Sequence, residues 1–244
     1  MNRNAQFERI ALLKASYQSK GNPVISVDTK KKELIGNLFR EGKIYTTETV
    51  EVFYHDFPSL AEGVAIPHAI YDIARNEGYV NIGTSRDTSE FACDSIRQWW
   101  NDYGKLYYPD ADSILMLMDG GGSNSSRHYI FKQDLQVLAD EIGIKIRIAH
   151  YPPYTSKWNP IEHRLFPHIT RSLQGMVLTT HQLVKELMEK TTTKSGLRVF
   201  ATILNRIYET GRKVTEGFKE SMRIVFDDDL ALWNYCAEPK RNSL

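Results

Sequence analysis

The stretch SILMLMDGGGSN, Ser113 to Asn124, decides how the rest of the chain is read. Its first half is a short, unbroken apolar run, which is the pattern of a strand buried on both faces. Asp119 ends the run. Gly120, Gly121 and Gly122 then let the chain turn tightly and let a phosphate or a backbone come close. No Gly-Lys-Ser/Thr follows, so this is not a Walker-type phosphate loop. Ser123 and Asn124 suit either the cap of the next helix or the positioning of a water or phosphate oxygen.

Working outward, Phe131, Leu135, Leu138 and Ile142 recur at steps of three and four, the signature of one buried helix face. Gly143 is placed to close that helix as the residue just past its end. Lys145–His150, KIRIAH, alternates as a strand. On the upstream side, Ala92, Ile96, Trp99 and Tyr103 mark a helix, with cap candidates at Asp87-Thr88-Ser89. Trp99 and Trp100 read as core and edge aromatics of that helix.

Before it, the runs Ala65–Ile73 and Tyr79–Thr84 flank an Asn/Gly-containing turn and read as a hairpin. Further upstream, NPVISVDTK carries a short β-branched run, Val24 to Val27, ending in Asp28. Residues 30–63 read as an irregular insertion with a short strand at Thr49–Tyr54. Residues 1–21 read as a leader or linker helix. The resulting order is strand, hairpin, helix, strand, helix, strand, helix. A mixed sheet with helices on its faces is the natural packing for that order. Beyond residue 175, helices are expected near Thr180–Lys190 and Thr215–Ile224.

Composition narrows the class. The chain has 244 residues, 41% apolar and 25% charged, as in an ordinary globular protein. No apolar stretch is long enough to span a bilayer. The N-terminus lacks the apolar segment of a secretory signal. Cys93 and Cys236 make neither a disulfide framework nor a zinc pattern, so a reducing cytoplasm is the expected compartment. The net charge of +1 identifies no partner. Between Lys190 and Lys213, however, six basic residues face one acid, Glu209. That stretch is either a solvated face or a phosphate-contacting surface.

Three acids stand out by position. Asp28 and Asp119 end strands, and Glu162 opens the helix that starts at Asn159-Pro160. Sites in open α/β sheets form beyond the carboxyl ends of strands. If the strands of Asp28 and Asp119 are parallel neighbours, their carboxylates converge, and two close carboxylates do not both ionise cheaply without a cation between them. Mg²⁺ or Mn²⁺ suits such hard oxygen donors. Taken singly, each acid has a plainer reading. Asp28 and Asp119 are acceptable turn residues, and Glu162 at the third helical position is favoured by capping and by the helix dipole. Their combination in this element order carries the chemistry.

VDTKKKE around Asp28, DGGGSN around Asp119 and PPYTSKWNPIEHR around Glu162 resemble, in order, the motifs of DDE transposases of bacterial insertion sequences. The last is close to the PxYSPxLNPIE signature of the wider insertion-sequence and mariner-like group. The second and third acids of that group lie a few tens of residues apart, as Asp119 and Glu162 do. The resemblance runs from about Asn22 into the C-terminal region.

It implies an α/β, ribonuclease H-like mixed sheet with helices on both faces and a C-terminal helical extension. The catalytic core would cover 22–175, with its insertion near 30–63. The extension, 176–244, would belong to the same domain. It also implies that Asp28, Asp119 and Glu162 are the catalytic triad and the ligands of two Mg²⁺ or Mn²⁺ ions. The reaction implied is hydrolytic nicking of transposon ends followed by transfer of the freed 3′-OH into target DNA. The implied partners are DNA and further copies of the chain. The implied location is the bacterial cytoplasm, at the nucleoid when DNA is bound, with no membrane.

The segment before Asp28 is too short for the N-terminal helix-turn-helix that such enzymes use to recognise their ends. This leaves two other readings, a DNA-binding remnant and a ribonuclease H-like nuclease without strand transfer. Candidate DNA contacts are Lys30, Lys31 and Lys32 after the first acid, Asn124 after the second, and Lys157, Trp158, His163 and Arg164 around the third. Trp158 is expected to be a buried wedge, with base stacking as the alternative. His55, His68 and His150 show no ligand spacing and are expected to be structural or exposed.

Overall fold

A computed structural model describes residues 3–54, 58–121 and 128–240. Helix α1 (Arg3–Ser19) leads into β1 (Val24–Thr29), the short β2 (Glu33–Ile35), and the hairpin β3 (Gly63–Asp72) and β4 (Glu77–Gly83). Then come α2 (Ser89–Trp99), a π-helical turn at Trp100–Gly104, and the short α3 (Lys105–Tyr107). Strand β5 (Ser113–Asp119), α4 (Tyr129–Ile142) and β6 (Lys145–Tyr151) follow, then α5 (Pro160–Arg164), α6 (Phe166–Leu173) and α7 (His181–Glu189). The chain finishes with β7 (Arg198–Leu204), α8 (Phe218–Ser221), β8 (Ile224–Phe226) and β9 (Asn234–Ala237).

The strands form one mixed sheet in the order β7-β4-β3-β1-β5-β6-β9-β8, with β2 paired to β3. Strands β1, β3 and β4 are an antiparallel meander, and β5 and β6 run parallel to β1. This is the ribonuclease H-like arrangement that the resemblance implies, with helices on both faces. The parallel strands β1 and β5 are largely apolar because both of their faces are covered. Ile25 and Val27 join Met116 and Met118 beneath α2 and α4. On the opposite face, Val24, Leu115 and Leu117 pack on Ile10 of α1. Neighbouring Ala69, Tyr71, Val80 and Ile82 pack on α5, α6 and α7.

Helix α2 begins as expected: the Thr88 hydroxyl accepts from the Phe91 N–H. Gly143 closes α4 in the left-handed conformation, φ 75°. Trp99 and Trp100 are both buried.

Three expectations are corrected. The C-terminal region is not a helical extension. Of its expected helices, α7 forms and only Phe218–Ser221 survives of the second, while β7, β8 and β9 complete both edges of the sheet. The expected strand at Thr49–Tyr54 is absent; Phe53 makes only a single bridge to Leu38. Helix α1 is also no loose leader, because Ile10 and Gln6 are buried against the sheet. The Gln6 amide donates to the His150 carbonyl at 2.8 Å.

Candidate active site

Strand alternation places the first two acids. Ser26 and Asp28 point to the α1/α5 face of β1, opposite Ile25 and Val27. Leu117 and Asp119 point the same way from β5. Val27 lies beside Met118 in the parallel register, so the next residue on each strand is an aspartate. Asp28 and Asp119 therefore line one cleft of about 530 Å³, with Thr29, Asp87, Gly120, Gly121 and the Pro152–Tyr154 loop.

Glu162 reaches this region from α5, whose first helical residue is Pro160, where a missing N–H costs nothing. Helix α5 is held down by Ile161 and Leu165, both fully buried. Leu165 seats over Gly78 of β4, where a side-chain carbon would lie 2.5 Å from the Leu165 methyl. A glycine at this point lets the helix approach the sheet. Glu162 lines a neighbouring cleft with Thr29, Lys31, Lys32 and Phe166, and lies close enough to Asp28 to raise its carboxyl.

The electrostatics are those of crowded acids, with burial and like charge raising both aspartates. Burial, then the charge of Asp119, push Asp28 up to about 8, with Glu162 adding to the effect. The Thr29 N–H, 2.8 Å from Asp28 Oδ1, opposes this only in part. Asp119 is raised by burial and by Glu162, and a hydrogen bond from Asn159 pulls the other way. Asn159 Nδ2 donates to Asp119 Oδ1 at 3.3 Å. Behind Asp119, His150 lies fully buried. Its Nδ1 is 3.0 Å from the Asp119 carbonyl and its Nε2 is 2.9 Å from the Tyr235 hydroxyl. Burial lowers His150 to about 4, so it is a neutral structural group.

Among the described residues, no three His, Cys, Asp or Glu side chains stand in a ready-made metal cluster. Asp28 is turned to Glu162, and Asp119 to Asn159. The donor set nevertheless fits a hard divalent ion. It is all carboxylate oxygen, half-buried, and burial and like charge raise both aspartates, which a cation between them would relieve.

The other expected site residues divide. Lys31 and Lys32 are exposed, but Lys30 is buried at 8% exposure, and its Nζ pairs with Glu33 at 2.5 Å. Lys157, His163 and Arg164 are exposed around Glu162. Trp158 is not the buried wedge expected of it; it is 57% exposed, edge-on to Phe7 and next to the Lys157 ammonium. Asn124 and His55 lie outside the described residues. His68 is structural, fully buried against Phe91.

The three arginines of the basic stretch after Lys190 are tied up within the fold, while Lys190, Lys194 and Lys213 are exposed. Arg198 pairs with Glu77, Arg206 with Glu90 and Asp94, and Arg212 with Asp134. Sequence reading missed Ser26, a polar residue in an apolar strand that shares the face of Asp28. It also took Asn159 for a helix cap only, and Asp87 for a cap candidate rather than a cleft residue.

A mixed sheet with aspartates at the ends of adjacent parallel strands, and a third acid on the helix above them, defines the architecture of a DDE-type catalytic domain. The family model described as the Rhodopirellula transposase DDE domain matches residues 1–239, and the chain belongs to that family. No curated protein matches the chain. Its fold is similar to that of the Mos1 transposase in several crystal structures. The Mos1 mariner paired-end complex with Mn aligns at TM-score 0.48 and 13% identity, covering 77% of this chain and 53% of that one. The Mos1 paired-end complex with the left transposon end aligns at TM-score 0.49 and 14% identity, covering 78% and 55%. The chain thus spans about half the length of the Mos1 chains it matches.

Proposed function

We propose that this chain is the catalytic domain of a DNA transposase that cuts strands at transposon ends and joins the freed 3′-OH to target DNA. Asp28, Asp119 and Glu162 would hold two divalent ions, Mg²⁺ or Mn²⁺. When bound, such ions supply activation of the attacking oxygen and stabilisation of the leaving oxygen. The observation that carries this reading is the Asp28–Asp119 pair, two half-buried carboxylates at adjacent parallel strand ends, with Asp28 raised by the charge of Asp119 and both raised by Glu162. A fold keeps such a pair at a cost in stability, and perturbed acids of this kind concentrate at functional sites.

The residues of the chain have distinct tasks. Asp28 gives up its proton as the site loads. The Pro152–Tyr154 loop walls the cleft on one side and the Gly120-Gly121 turn leaves it open to a phosphate backbone. Lys31, Lys32, Lys157, His163 and Arg164 supply the exposed positive rim, and Trp158 offers an exposed aromatic face to an unpaired base. Arg164 also faces Lys14 of α1, whose ammonium is lowered by burial and then by that neighbouring charge. Two adjacent cations suit a phosphate. Lys30 has no part in this rim. Assembly of more than one copy on paired ends belongs to the same proposal and rests on the family.

The test is a nicking assay on duplex DNA carrying the element's ends, with Mn²⁺ or Mg²⁺, comparing wild type with Asp119→Asn. The expected result is ion-dependent nicking that the substitution abolishes. Equal activity in both proteins would remove the triad assignment.

A further inference from the structure

Asn159 occupies the N-cap position of α5, yet its side chain makes no cap hydrogen bond. The N–H of Ile161, which an N-cap side chain would ordinarily satisfy, donates instead to Ser26 Oγ on β1 at 3.0 Å. The Ser26 hydroxyl donates in turn to Asn159 Oδ1. That bond fixes which end of the carboxamide is which: with Oδ1 on the hydroxyl, Nδ2 faces Asp119 Oδ1. Ser26 and Asn159 are both fully buried, so no water competes for these contacts.

We infer that Ser26 and Asn159 form a positioning latch for Asp119, in which Ser26 takes over the helix cap so that the Asn159 amide is free to hold the carboxylate. The latch ties three elements to one another: β1, which carries Asp28; β5, which carries Asp119; and α5, which carries Glu162. Neither residue touches substrate in this scheme. Ser26 sits two positions before Asp28 on the same face, and Asn159 three before Glu162, so the latch joins the supports of all three acids. Hydrogen-bonding partners of ligating carboxylates typically contribute about 10- to 100-fold to metal affinity.

The inference rests on Asp119 being a ligand, and two measurements keep the two ideas separable. The first needs no metal: hydrogen exchange of the Asn159 side-chain amide in the ¹⁵N-labelled full chain. Slow exchange is expected in wild type, and fast exchange in Ser26→Ala and in Asp119→Ala. The second is Mn²⁺ affinity by calorimetry on Asn159→Ser. Serine is too short to reach Asp119 and leaves the Ile161 N–H on Ser26, so the helix cap is kept while the Mn²⁺ Kd rises about 10- to 100-fold. Fast amide exchange in wild type overturns the latch, and so does a folded Asn159→Ser protein that binds Mn²⁺ as wild type does. If wild type binds no Mn²⁺, the triad reading fails, and the amide exchange alone decides the latch.

Discussion

Two groups of acids sit at opposite ends of the same sheet and are built on opposite principles. At the β3–β4 turn, Glu77 is fully buried, but Arg75 donates to it at 2.9 Å, and Tyr79 and Arg198 also bond to it. Burial alone would raise Glu77, yet these partners outweigh it and leave the carboxyl below its ordinary value. Next to it, burial raises Asp72, while the Tyr108 hydroxyl at 2.8 Å and two backbone N–H groups satisfy its oxygens. At the other end, half-buried Asp28 lies beside Asp119 and Glu162 and is driven up to about 8. Glu77 is neutralised by the fold itself. At the other end burial and like charge raise the acids, which is the condition a site needs if an ion from outside is to complete it.

The sharpest way to break this contrast is to remove one acid from each end. Glu77→Gln should destabilise the protein by about 2 kcal/mol in urea unfolding, since two arginines lose their carboxylate. Once folded, it should leave nicking intact. Asp28→Asn should do the reverse. Nicking should fall by roughly 10³-fold or more, several kcal/mol of lost transition-state stabilisation. The metal-free protein should gain about 1 kcal/mol from relief of like charge.

Glu77 and Asp28 should also answer pH with opposite signs. A carboxyl raised from 3.8 to about 8 binds its proton more tightly in the folded state. Its contribution is therefore complete below about pH 4 and is lost as pH rises towards 8. Glu77, held below its ordinary value, contributes above that value and loses its contribution as pH falls. Unfolding free energies of metal-free protein from pH 4 to 8 should decline less steeply in Asp28→Asn than in wild type. In Glu77→Gln the deficit relative to wild type should shrink towards low pH.

A smaller effect separates the three lysines after Asp28. Lys31→Ala and Lys32→Ala should each reduce the log–log salt slope of DNA binding by about 1. Lys30→Ala should leave the slope unchanged and lower stability, because its partner is Glu33.

The same contrast explains what the sequence made legible. The central strands were readable because residues buried on both faces form unbroken apolar runs, and the three acids because each sits where such a run ends or a helix begins. The β3–β4 hairpin was readable from its turn. The C-terminal strands were not. Strands β8 and β9 are only three and four residues long; β9 becomes a strand by pairing with the distant β6, and β8 by pairing with β9. Strand β7 lay within a stretch whose basic residues suggested a surface, whereas Arg198 turns back onto Glu77. Trp158 was expected inside as a wedge fixing the helix, but Thr155 and Asn159 already anchor the loop. Ser26 gave no signal of its own; its role exists only once Asn159 is brought beside it from 133 residues away.

The central claim is that Glu162, although it lines the neighbouring cleft, acts with Asp28 and Asp119 as one ion site. The most direct test is Mn²⁺ titration by electron paramagnetic resonance of wild type, Asp28→Ala, Asp119→Ala and Glu162→Gln. Each substitution should weaken Mn²⁺ binding at least about 10-fold. A Glu162→Gln protein that binds Mn²⁺ with wild-type affinity and stoichiometry would contradict the account.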